Sequence, residues 1–230
     1  MPEVILEVRD LVKTYKTGEI ETPALRGVVL SLQFGEFACV VGPSGCGKTT
    51  LLNLIGGLDR PSSGTITLDG LRVDQTSEKD LSRVRLNHIG FVFQAYNLFP
   101  VLSAAENVEY VLMLKGISAA ARRKKALELL ESVGLADVAS KRPTQLSGGQ
   151  QQRIAVARAI STDPRLVLAD EPTANLDSAS AGVLLDLMER LNREHGATFL
   201  FSTHDSRVVE RARRVIRLRD GRVEDGNARQ

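Results

Sequence analysis

Hydrophobic positions fall into two patterns along the chain. Phe37-Ala38-Cys39-Val40-Val41, Leu166-Val167-Leu168-Ala169 and Thr198-Phe199-Leu200-Phe201-Ser202 are short runs with hardly a polar break. Such runs, bounded by turn signals, predict strands buried on both faces, as in a parallel sheet. Residues 4–9, 27–33, 65–69 and 89–93 alternate or cluster as further strands. Apolar residues recur at helical spacing over 48–58, 104–115, 118–133, 149–162 and 179–194, which predicts helices there. Strand signals vanish between 104 and 160. Strands and helices alternating around a helix-only middle predict an α/β core with a helical insertion.

Composition narrows the class. The chain has 230 residues, of which 43% are hydrophobic and 25% charged. These values exclude a collagen-like or low-complexity chain. Lys plus Arg is 30 against 28 Asp plus Glu. So even a balance gives no support to a dedicated nucleic-acid binder, and no nucleic-acid partner is expected. Cys39 and Cys46 are too few for a disulfide framework or a four-cysteine zinc site, and a reduced state is expected. No run approaches 18 apolar residues, so no membrane span is expected. Met1-Pro2-Glu3-Val4 opens without a basic and then apolar stretch, so no signal peptide is expected. Residues 225–230 read as a frayed tail.

Three segments carry chemistry. Gly42-Pro43-Ser44-Gly45-Cys46-Gly47-Lys48-Thr49 fits the G-x-x-x-x-G-K-[ST] pattern between a buried strand and a helix. Its glycines let backbone N–H groups curl around phosphate oxygens, and the helix start adds its positive dipole end. Lys48 supplies a mobile charge for the β- and γ-phosphates, and the Thr49 hydroxyl a ligand for Mg²⁺. The run 166–169 ends in Asp170-Glu171. Burying charge is costly, so two acids at a buried strand end need a function. Asp170 is placed to anchor Mg²⁺ beside Thr49, and Glu171 to polarise a water for attack on the γ-phosphate. Because neighbouring strand residues face opposite ways, the pair is expected to divide two roles. Ser147-Gly148-Gly149-Gln150 opens a helix with a capping serine and two glycines, a second anion cradle. One nucleotide would lie between the two cradles within one chain, or two copies would share nucleotides across an interface.

Together these segments resemble ATP-binding cassette (ABC) proteins over nearly the full length. Gly42 to Thr49 matches Walker A, Arg165 to Asp170 followed by Glu171 matches Walker B, and Leu146 to Gln150 matches the family signature. The resemblance implies further roles. Tyr15 would stack on adenine. Gln94 would be the Q-loop contact to Mg²⁺ and water, Asn175-Leu176-Asp177 the D-loop, and His204 the switch histidine at the γ-phosphate. It implies catalysis by Glu171, His204 and Gln94, and Mg²⁺ held by Thr49, Gln94 and Asp170. ATP would be bound by Tyr15, Gly42, Ser44, Gly45, Cys46, Gly47, Lys48, Thr49 and Thr50, with Ser147, Gly148, Gly149, Gln150 and Asp177. Cys46 stands at a variable loop position and is given no catalytic role. The implied fold is a P-loop NTPase (RecA-like) core with an antiparallel β region, over 1–94 and 162–230, and a helical subdomain over 95–161, forming one domain. The implied assembly is a head-to-tail homodimer or paired cassette in which Ser147 to Gln150 closes over ATP on the other copy.

The partner surface is also suggested. Phe91 and Phe93 alternate in a strand and are expected in the core, whereas Tyr96-Asn97-Leu98-Phe99-Pro100 reads as a loop with apolar side chains in need of a partner. In the family this region forms the groove for a coupling helix of the transmembrane permease. Arg207, Arg211, Arg213, Arg214, Arg217 and Arg219 read as a solvated face, with attraction to an anionic membrane as the lesser alternative. Residues 104–160 leave no room for the long coiled coil of DNA-repair relatives, and with one cassette in the sequence the tandem translation-factor class is not expected. The segments 90–94, 97–100 and 168–177 resemble the lipoprotein-releasing and macrolide-exporter subfamily, although Ala174 stands where glycine is common and Tyr110-Val111-Leu112 lacks a proline often seen there. The expected role is a transport-coupled ATPase, peripheral at the cytoplasmic face of the inner membrane, driving export or extrusion of lipoprotein, peptide or hydrophobic cargo. An importer cassette, a cell-division cassette, a soluble non-transport ATPase and a non-enzymatic nucleotide-gated module stay open beside it.

Overall fold

The computed structural model describes residues 3–224. In chain order it contains β1 (Val4–Thr17), β2 (Ile20–Gln33), β3 (Phe37–Val41), α1 (Lys48–Ile55), β4 (Ser63–Leu68), β5 (Leu71–Arg72), α2 (Glu78–His88) and β6 (Ile89–Val92). There follow α3 (Ala104–Leu114), α4 (Ala119–Ser132), α5 (Gly148–Ile160), β7 (Leu166–Asp170), α6 (Ser178–His195), β8 (Thr198–Thr203), α7 (Ser206–Arg211), β9 (Arg214–Arg219) and β10 (Arg222–Glu224). The tail expected to fray, 225–230, lies outside the described residues.

The three nearly unbroken apolar runs become β3, β7 and β8, adjacent and parallel in a six-stranded sheet of order β10-β9-β3-β8-β7-β6. Each strand is buried on both faces because the sheet separates two cores. From β3, Phe37 and Cys39 face one core with α3 to α6, while Ala38 and Val40 face the other with α1 and the second sheet. β7 divides in the same way, with Val167 and Ala169 on one side and Leu166 and Leu168 on the other. This two-residue alternation explains why the sequence runs are apolar without a break. The second sheet is antiparallel, of order β2-β1-β4-β5.

Helix starts follow local capping chemistry. Ser103 with Glu106 caps α3, and Ser147 with Gln150 caps α5, each as a reciprocal capping box. The predicted helix 48–58 is shorter, because Gly56 and Gly57 end α1 at Ile55. β1 and β2 are longer than the expected 4–9 and 27–33, running on as a hairpin whose outer residues are exposed on both faces and so carry no period-two signal. α2 was not predicted from the pattern. Only Leu81 and Val84 are buried on it, and Ser77 starts it by accepting from the Asp80 N–H. α7, β9 and β10 were also missed, being short and crowded with arginine.

The late arginines are largely neutralised by the protein itself. Arg207 pairs with Asp205, Arg211 with Asp186, Arg214 with Glu36 and Arg219 with Glu224. No helix of the described residues is long and apolar enough to cross a membrane.

β6 and α5 meet at a point with no room for a side chain. A Cβ on Gly90 would stand 2.3 Å from the Ala159 carbonyl oxygen. Gly90→Ala is expected to destabilise the protein by about 1–3 kcal/mol, since backbone must shift to admit the methyl. A denaturant midpoint unchanged from wild type would contradict this packing.

Candidate nucleotide site

The loop after β3 curls over the start of α1. Gly47 has φ +109°, and a Cβ there would meet the Ala24 carbonyl oxygen at 2.7 Å. A Cβ on Gly42 would meet the Leu218 carbonyl oxygen at 2.1 Å. Only glycine fits either position, so the loop is pressed against β2 and β9 and held in shape. The Lys48 ammonium donates to the carbonyls of Gly42 at 2.8 Å and Pro43 at 3.1 Å. Lys48 is 8% exposed. Among the described residues no carboxylate lies within ion-pair distance of it.

A cleft of about 570 Å³ opens above this loop. Its wall comprises residues 42–45 and 47–50, with Ala24, Gln94, Glu171 and His204. Gln94 follows β6, Glu171 follows β7 and His204 follows β8, so the parallel sheet delivers them to the same edge as the loop. Cys46 is the loop residue absent from the wall. Its side chain is buried, and its Sγ would lie 2.7 Å from a Cβ on Gly42.

Asp170 and Glu171 face different partners. The Thr49 hydroxyl donates to Asp170 Oδ1 at 3.2 Å, and the Ser202 hydroxyl donates to the same oxygen. One carboxylate and one hydroxyl, beside a phosphate loop, suit a hard cation such as Mg²⁺ that keeps several waters. Glu171 lies one residue beyond β7 with φ +46°, its N–H donating to the Ser202 carbonyl at 2.9 Å. Its carboxylate sits 2.9 Å from His204 Nδ1. The division of the two acids therefore arises from a left-handed turn, not from strand alternation as expected from sequence.

Besides Cys46 and Asp170, the expected residues outside the cleft wall form two groups. Tyr15 is 40% exposed, and its hydroxyl donates to Asp59 Oδ2 at 2.9 Å. Burial, the Asp59 carboxylate and its charge raise the phenol pKa, while Thr50 and Lys13 oppose them. Ser147 to Gln150 begin α5 next to the start of α6. A Cβ on Gly148 would lie 2.7 Å from the Tyr96 hydroxyl, and one on Gly149 would lie 3.2 Å from Ser180 Oγ. Asp177 caps α6, accepting from the Ser180 N–H at 2.9 Å, and its pKa is lowered chiefly by the Ser180 hydroxyl. Neither Ser147–Gln150 nor Asp177 is on the cleft wall of their own chain.

Several further residues brace the site, and of these sequence reasoning marked only Asn175, in the D-loop segment. Gln152, fully buried on α5, donates to the Pro172 carbonyl at 2.8 Å. Asn175 Nδ2 donates to the Gln94 carbonyl at 2.9 Å. Asp205 accepts from the Thr173 hydroxyl at 2.8 Å and from the Arg207 guanidinium at 2.8 Å. An acid directly after His204 and before a serine was a readable helix-cap signal, whereas nothing local marked Gln152.

A second concavity, of about 410 Å³, is apolar. Phe91 and Phe93 stack on its wall with centroids 5.6 Å apart, and Phe99 packs on Tyr110 at 4.7 Å. Phe91 and Phe93 were expected in the core. Phe91, on the edge strand β6, is half-buried and packs against the core, whereas Phe93, half-buried too, lies just beyond the strand.

Comparison with known proteins agrees with this geometry. Residues 25–174 match the family model described as ABC transporter. The chain is 46% identical over 221 residues to the lipoprotein-releasing system ATP-binding protein LolD 1 of Rhodopseudomonas palustris, covering 95% of this chain and 98% of that protein. It is 46% identical over 222 residues to the macrolide export ATP-binding/permease protein MacB of Syntrophobacter fumaroxidans, covering 96% of this chain and 31% of that protein. The chain thus spans about a third of MacB's length. Among solved structures, the dimeric post-hydrolysis state of the ATP-binding cassette MJ0796 of Methanocaldococcus jannaschii, bound to ADP and Pi, superposes with a TM-score of 0.91. The two are 43% identical, with 98% of this chain and 99% of that one covered.

The Arg207 fork, with Thr173 and the Arg207 N–H, holds the Asp205 pKa at about 2 against the opposing effect of burial. A carboxyl depressed in the folded state stabilises the fold above its ordinary pKa. That stability is lost as pH falls from about 4 through about 2. Asp205→Asn is expected to lower stability at neutral pH and to flatten this acid limb. An acid unfolding curve as steep as wild type would contradict the assignment.

Proposed function

The chain belongs to the ABC transporter family, and on that premise we propose how its residues divide the work of an ATP-hydrolysing subunit. The observation that carries the reading is Lys48, a nearly buried ammonium held by two neutral carbonyls at the start of α1. A charge so placed is suited to phosphate oxygens, which the N–H groups of 42–50 and the helix start would also receive.

In this reading Gly42, Ser44, Gly45, Cys46, Gly47, Lys48, Thr49 and Thr50 hold the triphosphate, Cys46 through its backbone alone. Thr49 and Asp170 would hold Mg²⁺, with Gln94 of the cleft wall as a further contact. When bound, Mg²⁺ would neutralise charge on the β- and γ-phosphates. Glu171 takes the proton of an attacking water, and His204, 2.9 Å away, orients that carboxylate and contacts the γ-phosphate. Tyr15 stacks on adenine. Ser147 to Gln150 and Asp177, standing away from their own cleft, complete the nucleotide site of a second copy. This favours the arrangement across an interface over one nucleotide between two cradles of one chain.

The apolar concavity of Phe91, Phe93, Phe99 and Tyr110 is the docking groove for a transmembrane permease. MacB, named as an ATP-binding/permease protein, carries both functions on one chain, and LolD 1 is named for lipoprotein release. These relatives support export or extrusion of lipoprotein, peptide or hydrophobic cargo by a cassette peripheral to the inner membrane. Single-domain organisation, with helices 95–161 inserted in the α/β core, accords with that role.

Glu171→Gln is expected to keep ATP binding, to reduce turnover by about 10²–10⁴-fold and to accumulate an ATP-bound dimer. Steady-state hydrolysis and sedimentation with ATP provide the check. Wild-type turnover in this variant would sink the assignment of the base.

A further inference from the structure

Tyr15 stands outside the cleft wall, yet its ring is not loose. Its hydroxyl donates to Asp59 Oδ2 at 2.9 Å. Lys13 Nζ donates to Asp59 Oδ1 at 2.7 Å and to the Arg60 carbonyl at 2.7 Å, and lies 4.8 Å from the centroid of the Tyr15 ring. The ring is thus held at its hydroxyl and on one face, while 40% of the residue stays exposed for another planar group. The Lys13 side chain is only 12% exposed, which confines the ammonium to this geometry.

Asp59 lies just beyond α1, the helix whose other end carries Lys48 and Thr49. Burial opposes its charge, but Lys13, the Arg60 N–H and the Tyr15 hydroxyl outweigh burial and lower its pKa. α1 therefore connects the phosphate loop at its start with Asp59, which holds the Tyr15 hydroxyl, beyond its end.

We propose that Asp59, backed by Lys13, is a positioning residue that fixes the plane of the Tyr15 ring relative to α1 and so sets where a nucleobase stacks. This rests on the reading of Tyr15 as the base-stacking residue. A ring held in advance loses less freedom on binding than one that must be ordered by the base. Asp59 is not on the cleft wall, so its effect is expected to reach only ligands that carry a base.

The test uses the full chain, comparing KM for ATP with the inhibition constant of inorganic tripolyphosphate, which has no base. Asp59→Ala is expected to raise KM for ATP by about two- to ten-fold, the range for one side chain's lost ordering, with no matching rise for tripolyphosphate. Tyr15→Phe, which removes only the tethered hydroxyl, is expected to do the same. The double variant is expected to lose no more than either single one. Asp59→Asn keeps an oxygen for the hydroxyl and is expected to recover part of the loss. Equal rises for both ligands, or full multiplication of the two effects in the double variant, would overturn the proposal and leave Asp59 a structural residue. Tyr15→Ala with an unchanged KM for ATP would instead remove the stacking reading beneath it.

Discussion

The Lys48 ammonium is held at the floor of its loop by the carbonyls of Gly42 and Pro43, at 2.8 and 3.1 Å, with almost no access to water. Neutral carbonyls only partly replace the hydration that a cation loses on burial. The loop must therefore be clamped from outside, and the close contacts of Gly42 with Leu218 and of Gly47 with Ala24 supply the clamp. These contacts come from β9 and from β2, so both sheets are needed to hold one side chain. The same clamp aims the first N–H groups of α1 into the cleft, where an anion meets the lysine and the helix end together.

The other groups reach that point through sheet topology. β6, β7, β8 and β3 are parallel, and the chain leaves each at the same edge. Gln94, Glu171, His204 and Lys48 follow those strand ends, although they are far apart in sequence. Short polar ties then connect the exits. Thr173 bonds Asp205, Asn175 bonds the Gln94 carbonyl, and Gln152 bonds the Pro172 carbonyl. Through Gln152 and Arg158, which donates to the Tyr96 carbonyl at 3.0 Å, α5 is joined to the segments bearing Gln94 and Glu171. The helix that opens with Ser147 is thus bonded both to the segments beside the cleft and, through Arg158, to the wall of the apolar groove.

What was legible in the sequence follows from how many neighbours each residue needs. β3, β7 and β8 were plain because two cores require apolar residues on both faces of each strand. The loop 42–49 was plain because phosphate binding constrains glycine, lysine and threonine within eight adjacent positions. The outer hairpin of β1 and β2 was hidden, since strand pairing there needs no buried side chain. α2 was hidden because two buried residues, Leu81 and Val84, set no period. Asp59 and Gln152 act on partners distant in sequence, so no spacing could mark them. The left-handed turn at Glu171 likewise depends on its bond to Ser202 in β8.

The central claim is that the loop of one copy and the Ser147 segment of another enclose one nucleotide. It is tested by mixing two inactive chains, Lys48→Ala and Ser147→Arg, and measuring ATP hydrolysis as a function of their ratio. A shared site predicts recovered turnover, greatest near equal amounts, because the mixed dimer contains one site with both an intact Lys48 and an intact Ser147. A mixture as inactive as its components at every ratio would contradict the claim.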